Sequence, residues 1–468
     1  MIGLFKCCYL IIAILIVGDV VNSICFKNKF KHSLPIRFSI SYSLGTGILG
    51  LLMFYLSYLG GAVSFRNVFF LSLPFMSYFV YNSTKSKGSI LTIKSPTLNF
   101  RKDMLNSFFL MLIVLSLAIV TFRALYLPMH LSDDRMQWGI KAKILYHEGT
   151  IYSQDFFDPA RVMYHASYPF LVPLIESFFY SALEDMNDCM VKIPFPLYFL
   201  ALLLFFYVSQ KRFAGHQHAL MLTSMLAVLP IFIKDINGNP SSGFSDIPLT
   251  LYYTISVISL FFWIKEHRIE DMFMATICIT FSIFAKKEGM ILWTIAVVAI
   301  LFYLLMTERE ILRNKLLWWG FFVGVPLIML LPWFQFQGNF NTGPWEKDFE
   351  LSYLTYEHIY SQSYRIPFIV NSFLKKFFTP FYFNIIWIIF IITIVLSLKD
   401  FFCSLQVFLF LLLVLNLCAL FFAILVYPWP WWGNFLGDLP RLLMLNIPLM
   451  MYMVSYQLHR HKFFQSSV

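Results

Sequence analysis

The stretch LNSFFLMLIVLSLAIVTFRALY, residues 105–126, decides the class of fold, because it is an apolar run of the length that crosses a bilayer. An α-helix crosses the hydrocarbon layer in about 20 residues. Such runs recur along the whole chain of 468 residues, which is 59% hydrophobic and 13% charged, with a mean hydropathy of +0.71. A soluble domain carries about 25% charged residues, and a membrane β-barrel gives short alternating segments. The composition therefore predicts an all-α polytopic membrane protein.

About 13 apolar runs predict membrane spans. They lie near residues 7–24, 38–60, 66–81, 105–126, 191–208, 219–234, 247–264, 271–285, 289–306, 317–334, 379–398, 404–427 and 441–457. The first run follows a basic residue, as in a signal peptide, but no convincing cleavage site follows it, so we expect a retained helix. The seven cysteines form no CxxC pair and no framework spacing. We expect them to be packing residues that form no disulfide and bind no zinc.

The positions of the basic residues predict the orientation of the chain. They gather in the connections 27–37, 85–102, 211–212, 265–268, 309–315, 399 and 460–462, which share one side if the spans alternate. The positive-inside rule makes that side the cytoplasm. Topology therefore accounts for the net charge of +10, and nucleic-acid binding is not needed to explain it.

The segment YPFLVPLIESFFYSAL, residues 168–183, tests this topology, because it is apolar but short and contains Glu176. If it crossed the bilayer, the charge rule would fail for the connections that follow. We therefore predict a re-entrant or surface-lying helix. The outer face then carries the long connections 127–190, 335–378 and 427–440 and the short ones 235–246 and 286–288. All candidate polar groups lie at this face, which predicts a single site there.

The first outer connection contains two adjacent carboxylates in LSDDRMQWGIKAKIL, residues 131–145. Asp133 and Asp134 are either solvated loop charges or bases that accept a proton from a hydroxyl at the membrane surface. Residues 136–149 alternate apolar and polar positions at helical spacing. We expect an interfacial helix there, with Lys141 and Lys143 on its water-facing side. Such a helix would fix the position of the two aspartates.

The short connection within KDINGNPSSGFSDIPLTLYY, residues 234–253, is rich in Gly, Asn, Pro and Ser and leads into an apolar helix. Ser245 or Asp246 is placed to cap that helix, and Pro248 is tolerated in its first turn. A role of Asp246 in binding a substrate is the other interpretation. The two interpretations are compatible.

Charged residues interrupt an apolar stretch in FAKKEGMILW, residues 284–293. Charges at membrane depth are costly and tend to be functional. The ammonium groups of Lys286 and Lys287 are candidates for binding a phosphate or pyrophosphate. A tight polar turn between two spans is the alternative.

The last outer connection, YPWPWWGNFLGDLPRLLML, covers residues 427–445. Its three tryptophans are typical of an interfacial belt. Arg441 is a candidate for bidentate phosphate binding, although it could equally bind helix-end carbonyls or lipid headgroups. His165, in the first outer connection, is expected to be structural. No Walker-type loop, GxGxxG, HExxH or GxSxG motif occurs, which argues against nucleotide chemistry on a soluble domain.

Five motifs follow one another within residues 105–457. They are SDDRMQWGIKAKILYHEG, HASYPFLVPLIESF, GFSDIPLTLYY, FAKKEGMILW and PRLLMLNIPL. Their order resembles that in GT-C glycosyltransferases, and most of all in bacterial enzymes similar to dolichyl-phosphate-mannose–protein mannosyltransferases and lipid A aminoarabinose transferases. Such proteins show an outer-loop acid, a W-x-x-K-A-K-like helix and a Tyr-Pro apolar stretch. A G-x-x-D-x-P-L helix start, a K-x-E-G turn and an arginine at the last core span follow.

The resemblance implies a GT-C-like helical bundle and a glycosyltransferase with a polyprenyl-phosphate sugar as donor. Transfer to a glycan, lipid or protein acceptor would occur on the outer side, by direct displacement with inversion. The implied acid–base residue is Asp133, with Asp134 second, and the implied phosphate ligands are Lys286, Lys287 and Arg441. The implied substrate pocket contains Trp138, Lys141, Tyr168, Asp246 and Glu288. No His/Asp cluster demands a metal, and we predict no metal ligand.

The likeness covers residues 105–457 and leaves 1–104 as additional N-terminal spans with a basic loop and 458–468 as a cytoplasmic tail. We expect a multi-pass protein of a bacterial inner membrane whose site faces the periplasm; an enzyme of the endoplasmic reticulum would have the same geometry. The alternative is a transporter or lipid flippase, in which Asp19 of the first span could serve as a relay. Paired internal halves, which that alternative would favour, are not found. A non-catalytic assembly protein is the third interpretation.

Overall fold

The computed structural model describes residues 2–26, 33–85, 104–158, 160–161, 165–305, 309–340, 353–399, 405–428 and 432–460. Within these ranges the chain is helical and contains no strand, so the prediction of an all-α fold is confirmed. Several residues of the sequence predictions lie outside the described ranges. They are Lys27, Lys29, Lys31, Lys87, Lys94, Arg101, Lys102, Cys403, Trp429, Trp431 and Lys462.

Apolar helices make up most of the described chain, because a helix satisfies its own backbone hydrogen bonds without water. In chain order they are α1 (Ile2–Cys25), α2 (Leu34–Tyr58), α3 (Phe65–Lys85), α4 (Met104–Tyr126), α5 (Ile140–Glu148), α6 (Leu171–Leu183), α7 (Pro194–Ala227), α8 (Pro230–Ile233), α9 (Asp246–Glu266), α10 (Ile269–Ala285), α11 (Glu288–Leu305), α12 (Arg309–Gln337), α13 (Tyr356–Ser361), α14 (Ile366–Phe378), α15 (Pro380–Phe383), α16 (Ile386–Leu396), α17 (Gln406–Val426), α18 (Trp432–Met444) and α19 (Ile447–Arg460).

Eight helical segments of the described chain are long and apolar enough to cross a membrane. They are Phe5–Cys25, Leu34–Tyr58, Met104–Tyr126, Met190–Ala227, Asp246–Glu266, Glu288–Leu305, Leu316–Gln337 and Gln406–Val426. The chain is thus an integral, multi-pass membrane protein, as predicted. The larger predicted number of spans stays a prediction. Two of those spans, 379–398 and 441–457, fall on shorter helices: α15 and α16, and α18 and α19.

Helix α7 covers the first of two neighbouring predicted spans, 191–208, and part of the second, 219–234. Gly215 interrupts it with φ 77° and ψ 173°, a backbone conformation that favours glycine. Two helical stretches therefore meet at this residue. Lys211 and Arg212 lie just before the break, in the connection that the charge pattern predicted.

Helices α9 and α10 pack along each other in the interior of the bundle. Every residue of α9 from Asp246 to Ile264 is buried, as expected for a helix that is apolar all round. Helix α2 packs on α1, α6 and α7, so the N-terminal helices join the rest of the bundle directly. Asp19 of α1 accepts two hydrogen bonds from Arg37 of α2, at 2.7 and 2.9 Å.

Helix α6 lies in the short apolar segment that was predicted to be either a re-entrant or a surface-lying helix. Its 13 residues extend about 20 Å at 1.5 Å per residue, which is less than the hydrocarbon thickness of about 30 Å. Its side chains are almost all buried, and it packs on α1, α2 and α5. The helix is therefore too short to cross alone, and its burial favours the re-entrant description over a surface-lying one.

Candidate active site

A cavity of about 260 Å³ lies where the first outer connection, the turn between α10 and α11 and helix α18 meet. One part of its wall is polar and contains Asp133, Gln137, Lys286, Glu288, Asp438 and Arg441. The other part is an apolar groove between α11, α17 and α18, lined among others by Leu292, Ile295, Ala419, Leu420, Ala423 and Leu442. The cavity thus joins a charged end to an apolar end.

Asp133 is held in this cavity by Arg441. One terminal nitrogen of the guanidinium donates to Oδ2 of Asp133 at 2.6 Å, and the other donates to Oδ2 of Asp438 at 3.3 Å. Burial raises the pKa of Asp133, but the charge and the hydrogen bond of Arg441, together with the charge of Lys286, outweigh burial, and the pKa lies below its ordinary value. Asp133 is therefore ionised at neutral pH and able to accept a proton.

Lys286 binds a second pair of carboxylates. Its Nζ donates to Oδ1 of Asp246 at 3.0 Å and to Oε1 of Glu288 at 2.9 Å. Burial alone would lower the pKa of this lysine, but the two carboxylates outweigh burial and the pKa is raised. The ammonium group therefore stays charged although the residue is only 4% exposed.

The predicted side-chain cap at the start of α9 is wrong. Neither side chain makes a capping hydrogen bond there, because both groups have other partners. The hydroxyl of Ser245 donates to the carbonyl of Ala285 at 2.6 Å, and Asp246 accepts from Lys286. Asp246 is buried behind Lys286 and is not part of the cavity wall.

The loop between α8 and α9 approaches these charged groups with bare backbone. Gly238 has φ +82°, and a Cβ atom built on it would lie 3.1 Å from Cβ of Arg441 and 3.2 Å from Cγ of Asp246. Glycine suits this position for two reasons, since the left-handed conformation is strained for any side chain and a Cβ atom would crowd both residues. The loop therefore packs directly against the arginine and the aspartate.

Aromatic rings form another side of the cavity. Trp138 and Tyr168 meet edge to face with ring centroids 5.8 Å apart, and His165 lies 4.7 Å from Tyr168. All three residues line the cavity, so His165 is at the site although the sequence predicted only a structural role. Trp138 belongs to a short π-helical stretch, Asp134–Gly139, and such stretches often occur at functional sites.

The prediction that Lys141 faces water is wrong. The side chain is buried, and its Nζ donates to the carbonyl oxygens of His165 at 2.7 Å and Tyr168 at 3.3 Å. Paired carbonyl groups compensate the cost of burying the ammonium. Lys141 therefore supports the loop that carries Tyr168 and does not line the cavity. Lys143, by contrast, is partly exposed and pairs with Asp188 at 2.9 Å.

The two adjacent aspartates occupy different surroundings. Asp134 is fully buried and absent from the cavity wall. Gly243 approaches both Asp134 and Glu176 of α6, since a Cβ built on it would lie 3.4 Å from Cβ of Asp134 and 3.1 Å from Oε1 of Glu176. Burial raises the pKa of Asp134 from 3.8 to about 6, although Lys192 acts in the opposite direction. Of the two, only Asp133 is placed to meet a molecule in the cavity.

Lys287 lines a neighbouring cavity of about 330 Å³ between α11 and α12. Its Nζ lies 4.9 Å from the centre of the Tyr168 ring. Tyr168, Glu288 and Ile291 line both cavities, so the two cavities share a wall. Lys286 and Lys287 therefore line different cavities, whereas the sequence analysis predicted that both would bind the phosphate.

Asp438, Asn416 and Asn446 are among the residues of the first cavity that were not predicted site residues. Asp438 lies one helical turn before Arg441, and this spacing was a usable signal for the pair. Asn416 and Asn446 lie at the apolar end, where the amide of Asn416 donates to the hydroxyl of Tyr253 at 2.7 Å and to Asn446 at 3.1 Å. Lone amides in apolar helices often bond across helices, but the sequence does not show which helices meet.

The charged end of the cavity contains cations that are already paired. Arg441 and Lys286 each bind two carboxylates. The Nε of Arg441 is buried and has no hydrogen-bond partner among the described residues, and the same holds for Oε2 of Glu288. Over the described part of the chain, no group of three or more His, Cys, Asp or Glu residues is placed to hold a metal ion.

Comparison with known proteins gives one match. Residues 167–334 match the family model described as dolichyl-phosphate-mannose-protein mannosyltransferase, so the resemblance predicted from the motifs is confirmed for this part of the chain. The matched part contains Tyr168, Asp246 and the 286–288 turn, whereas Asp133 and Arg441 lie outside it. No curated protein and no solved structure matches the chain.

Proposed function

We propose that this chain, a membrane glycosyltransferase of the GT-C type, transfers a sugar from a polyprenyl-phosphate donor to an acceptor on the outer side of a membrane. The observation that supports this most is the division of the first cavity into a charged end and an apolar groove. A polyprenyl-phosphate sugar has the same division, since its phosphate separates a polar sugar from a hydrocarbon tail. The tail would lie between α11 and α17, and the sugar would lie beside Tyr168 and Trp138.

The donor phosphate would be bound by Arg441 and Lys286. The buried Nε of Arg441 has no acceptor among the described residues, and a phosphate oxygen would satisfy it. Lys286 contributes a charge that its two carboxylates keep in place. Guanidinium and ammonium groups suit phosphate because they donate charge-assisted hydrogen bonds. The leaving group gains negative charge as its bond to the sugar breaks, so both cations stabilise the transition state more than the ground state.

Asp133 would act as the base. Its ionised carboxylate takes the proton of the acceptor hydroxyl, while the acceptor oxygen forms a bond to the anomeric carbon of the sugar. The bond between that carbon and the phosphate oxygen breaks, and polyprenyl monophosphate leaves. A single displacement of this kind inverts the anomeric configuration. No co-reactant is required, because Asp133 holds the proton and polyprenyl monophosphate leaves with the electron pair of the broken bond.

The ion pair between Asp133 and Arg441 links donor binding to the activity of the base. A donor phosphate at Arg441 competes with Asp133 for the positive charge of the guanidinium. Weaker pairing raises the pKa of the carboxylate towards its ordinary value, which makes it a better proton acceptor. The base is therefore strengthened when the donor is in place.

No observation favours a transporter over this function. Asp19, the acid that could serve as a relay, is bound by Arg37 through two hydrogen bonds. A carboxylate paired in this way loses its partner only at a large cost in free energy. The charged groups of the first cavity lie at one end of the bundle, as a transferase with a lipid-borne donor requires.

The test is mass spectrometry of lipids and glycans from cells that carry wild-type protein or the Asp133→Asn variant at matched membrane expression. We expect one glycosylated species to disappear and a polyprenyl-phosphate sugar to accumulate. Glu184→Gln is the matched control, because it makes the same change of charge at a side chain that is 80% exposed. Identical profiles for Asp133→Asn and wild type would remove Asp133 from the mechanism, and a wild-type profile equal to that of cells without the protein would reject the transferase.

A further inference from the structure

A transferase binds two substrates, and the chain offers a second cavity next to the first. The cavity between α11 and α12 shares Tyr168, Glu288 and Ile291 with the first one. One carboxylate oxygen of Glu288 is fixed by Lys286, and the other is buried without a hydrogen-bond partner among the described residues. The shared wall therefore carries a carboxylate with one paired oxygen and one buried oxygen that has no hydrogen-bond partner among the described residues.

The helices beside this cavity show where its occupant comes from. Val298 on α11 and Ile328 and Leu331 on α12 are 52%, 72% and 52% exposed, as is typical of side chains that face lipid. The wall of the cavity itself contains Ile283, Met290, Trp333 and Phe334. An occupant that enters between these two helices comes from the bilayer and brings an apolar portion with it.

The depth of the cavity indicates which part of a lipid it would hold. Lys287, Glu288 and Met290 lie at the first turn of α11, and Trp333, Phe334 and Gln337 lie in the last turns of α12. The cavity is therefore at the membrane boundary, with polar groups and apolar rings together. A hydroxyl-bearing head group would contact Lys287 and Gln337, and the first carbons of its tail would contact Met290 and Phe334.

A third cavity, of about 310 Å³, offers a different route. It is lined by Asp235 and Asn237 of the loop between α8 and α9 and by Tyr382 of α15, and it reaches Asp438 and Arg441. Arg441 would bind the leaving phosphate, and an inverting attack comes from the face of the sugar opposite to the leaving group. The cavity between α11 and α12 contains neither Arg441 nor Lys286. It is therefore better placed to admit the attacking molecule.

We propose that the cavity between α11 and α12 is the acceptor site and that the acceptor is a membrane lipid with a hydroxyl-bearing head group. This inference rests on the transferase function proposed above. The lipid enters between the two helices, and its reacting hydroxyl passes Glu288 into the first cavity, where it bonds to the anomeric carbon and gives its proton to Asp133. A soluble glycan or a peptide has no apolar portion for this cavity and would use the third one.

The test uses the purified full-length protein in phosphatidylcholine vesicles. The vesicles contain lipid extract from cells that lack the protein, and the surrounding solution contains the glycan and protein extract of the same cells, so the donor and all three classes of acceptor are present. Met290→Trp narrows the second cavity, and Ala423→Phe narrows the donor groove. Leu317→Trp adds the same bulk at a 73% exposed side chain near the other end of α12 and is the control. Products are separated into organic, aqueous and protein fractions before mass spectrometry, and donor breakdown is measured separately.

We expect the product in the organic fraction and at least a tenfold loss of transfer in Met290→Trp. That variant should still convert donor to free sugar and polyprenyl phosphate with water, whereas Ala423→Phe should lose both reactions and Leu317→Trp neither. If Met290→Trp transfers sugar as fast as the wild type, or if the product is in the aqueous or protein fraction, the proposal of a lipid acceptor is overturned. The transferase function stands in both cases. Failure of the wild type to consume donor in any form rejects the transferase itself.

Discussion

Replacing Gly238 by alanine tests whether the loop between α8 and α9 holds the charged end of the cavity. The substitution has two separable effects. The left-handed backbone at φ +82° costs an L side chain about 1–2 kcal/mol. In addition, the new methyl would lie 3.1 Å from Cβ of Arg441 and 3.2 Å from Cγ of Asp246. Contacts this short require a shift of a few tenths of an ångström or more, and the atoms that must move carry the charges of the site.

Gly60 provides the matched control for this variant. Its φ of +86° is nearly the same, but nothing lies within 4 Å of a Cβ built on it. Gly60→Ala therefore carries the backbone cost without the crowding. We expect both variants to lose about 1–2 kcal/mol of stability, and only Gly238→Ala to lose transfer activity. Misplacing a catalytic group by about 1 Å can cost roughly 100-fold in rate, so a loss of about 10- to 100-fold is expected for this smaller shift.

The assay compares thermal unfolding in detergent with the transfer rate per mole of folded protein in vesicles. Normalising to folded protein removes the stability loss that both variants share. If Gly238→Ala transferred sugar as fast as Gly60→Ala, the loop would not position Arg441 and Asp246, and those two side chains would owe their places to other contacts. If both variants lost activity equally, backbone strain alone would explain the result.

Two further predictions concern buried charges. Lys286→Met leaves Asp246 buried without its partner and should destabilise the protein by about 3–5 kcal/mol; thermal unfolding should show that the double variant Lys286→Met, Asp246→Asn recovers part of this loss, and no recovery would contradict the pairing. The pKa of Asp134 is raised to about 6 in the folded protein, so its ionisation opposes folding and stability should fall as pH rises from about 4 to 6. Asp134→Asn should remove that part of the pH dependence and stabilise the protein at pH 7 by an amount of the order of 3 kcal/mol. Unfolding of both proteins is measured at pH 4 and pH 7. If the stability of the wild type and of Asp134→Asn changes by the same amount between the two pH values, the prediction is refuted.

The class of fold was predictable because lipid imposes a simple rule on sequence. A segment without water must satisfy its own backbone hydrogen bonds, so apolar length alone identifies helices such as α4 and α17. The same rule does not identify where a helix is interrupted. The predicted span 441–457 extends over the end of α18 and most of α19, and the prediction passed over Asn446 and Pro448, which mark the break at residues 445 and 446.

The site was predictable in its residue types but not in its partners. Adjacent residues on a helix point about 100° apart, so two neighbouring carboxylates at a helix start can have different surroundings. This reasoning separates Asp133 from Asp134 but does not tell which of them faces the cavity. The choice depends on Arg441, which is 308 residues further along the chain, and on Glu176, whose helix covers the other side. A pattern along the chain identifies charges that are costly to bury, and only the packing of distant helices decides which of those charges meet.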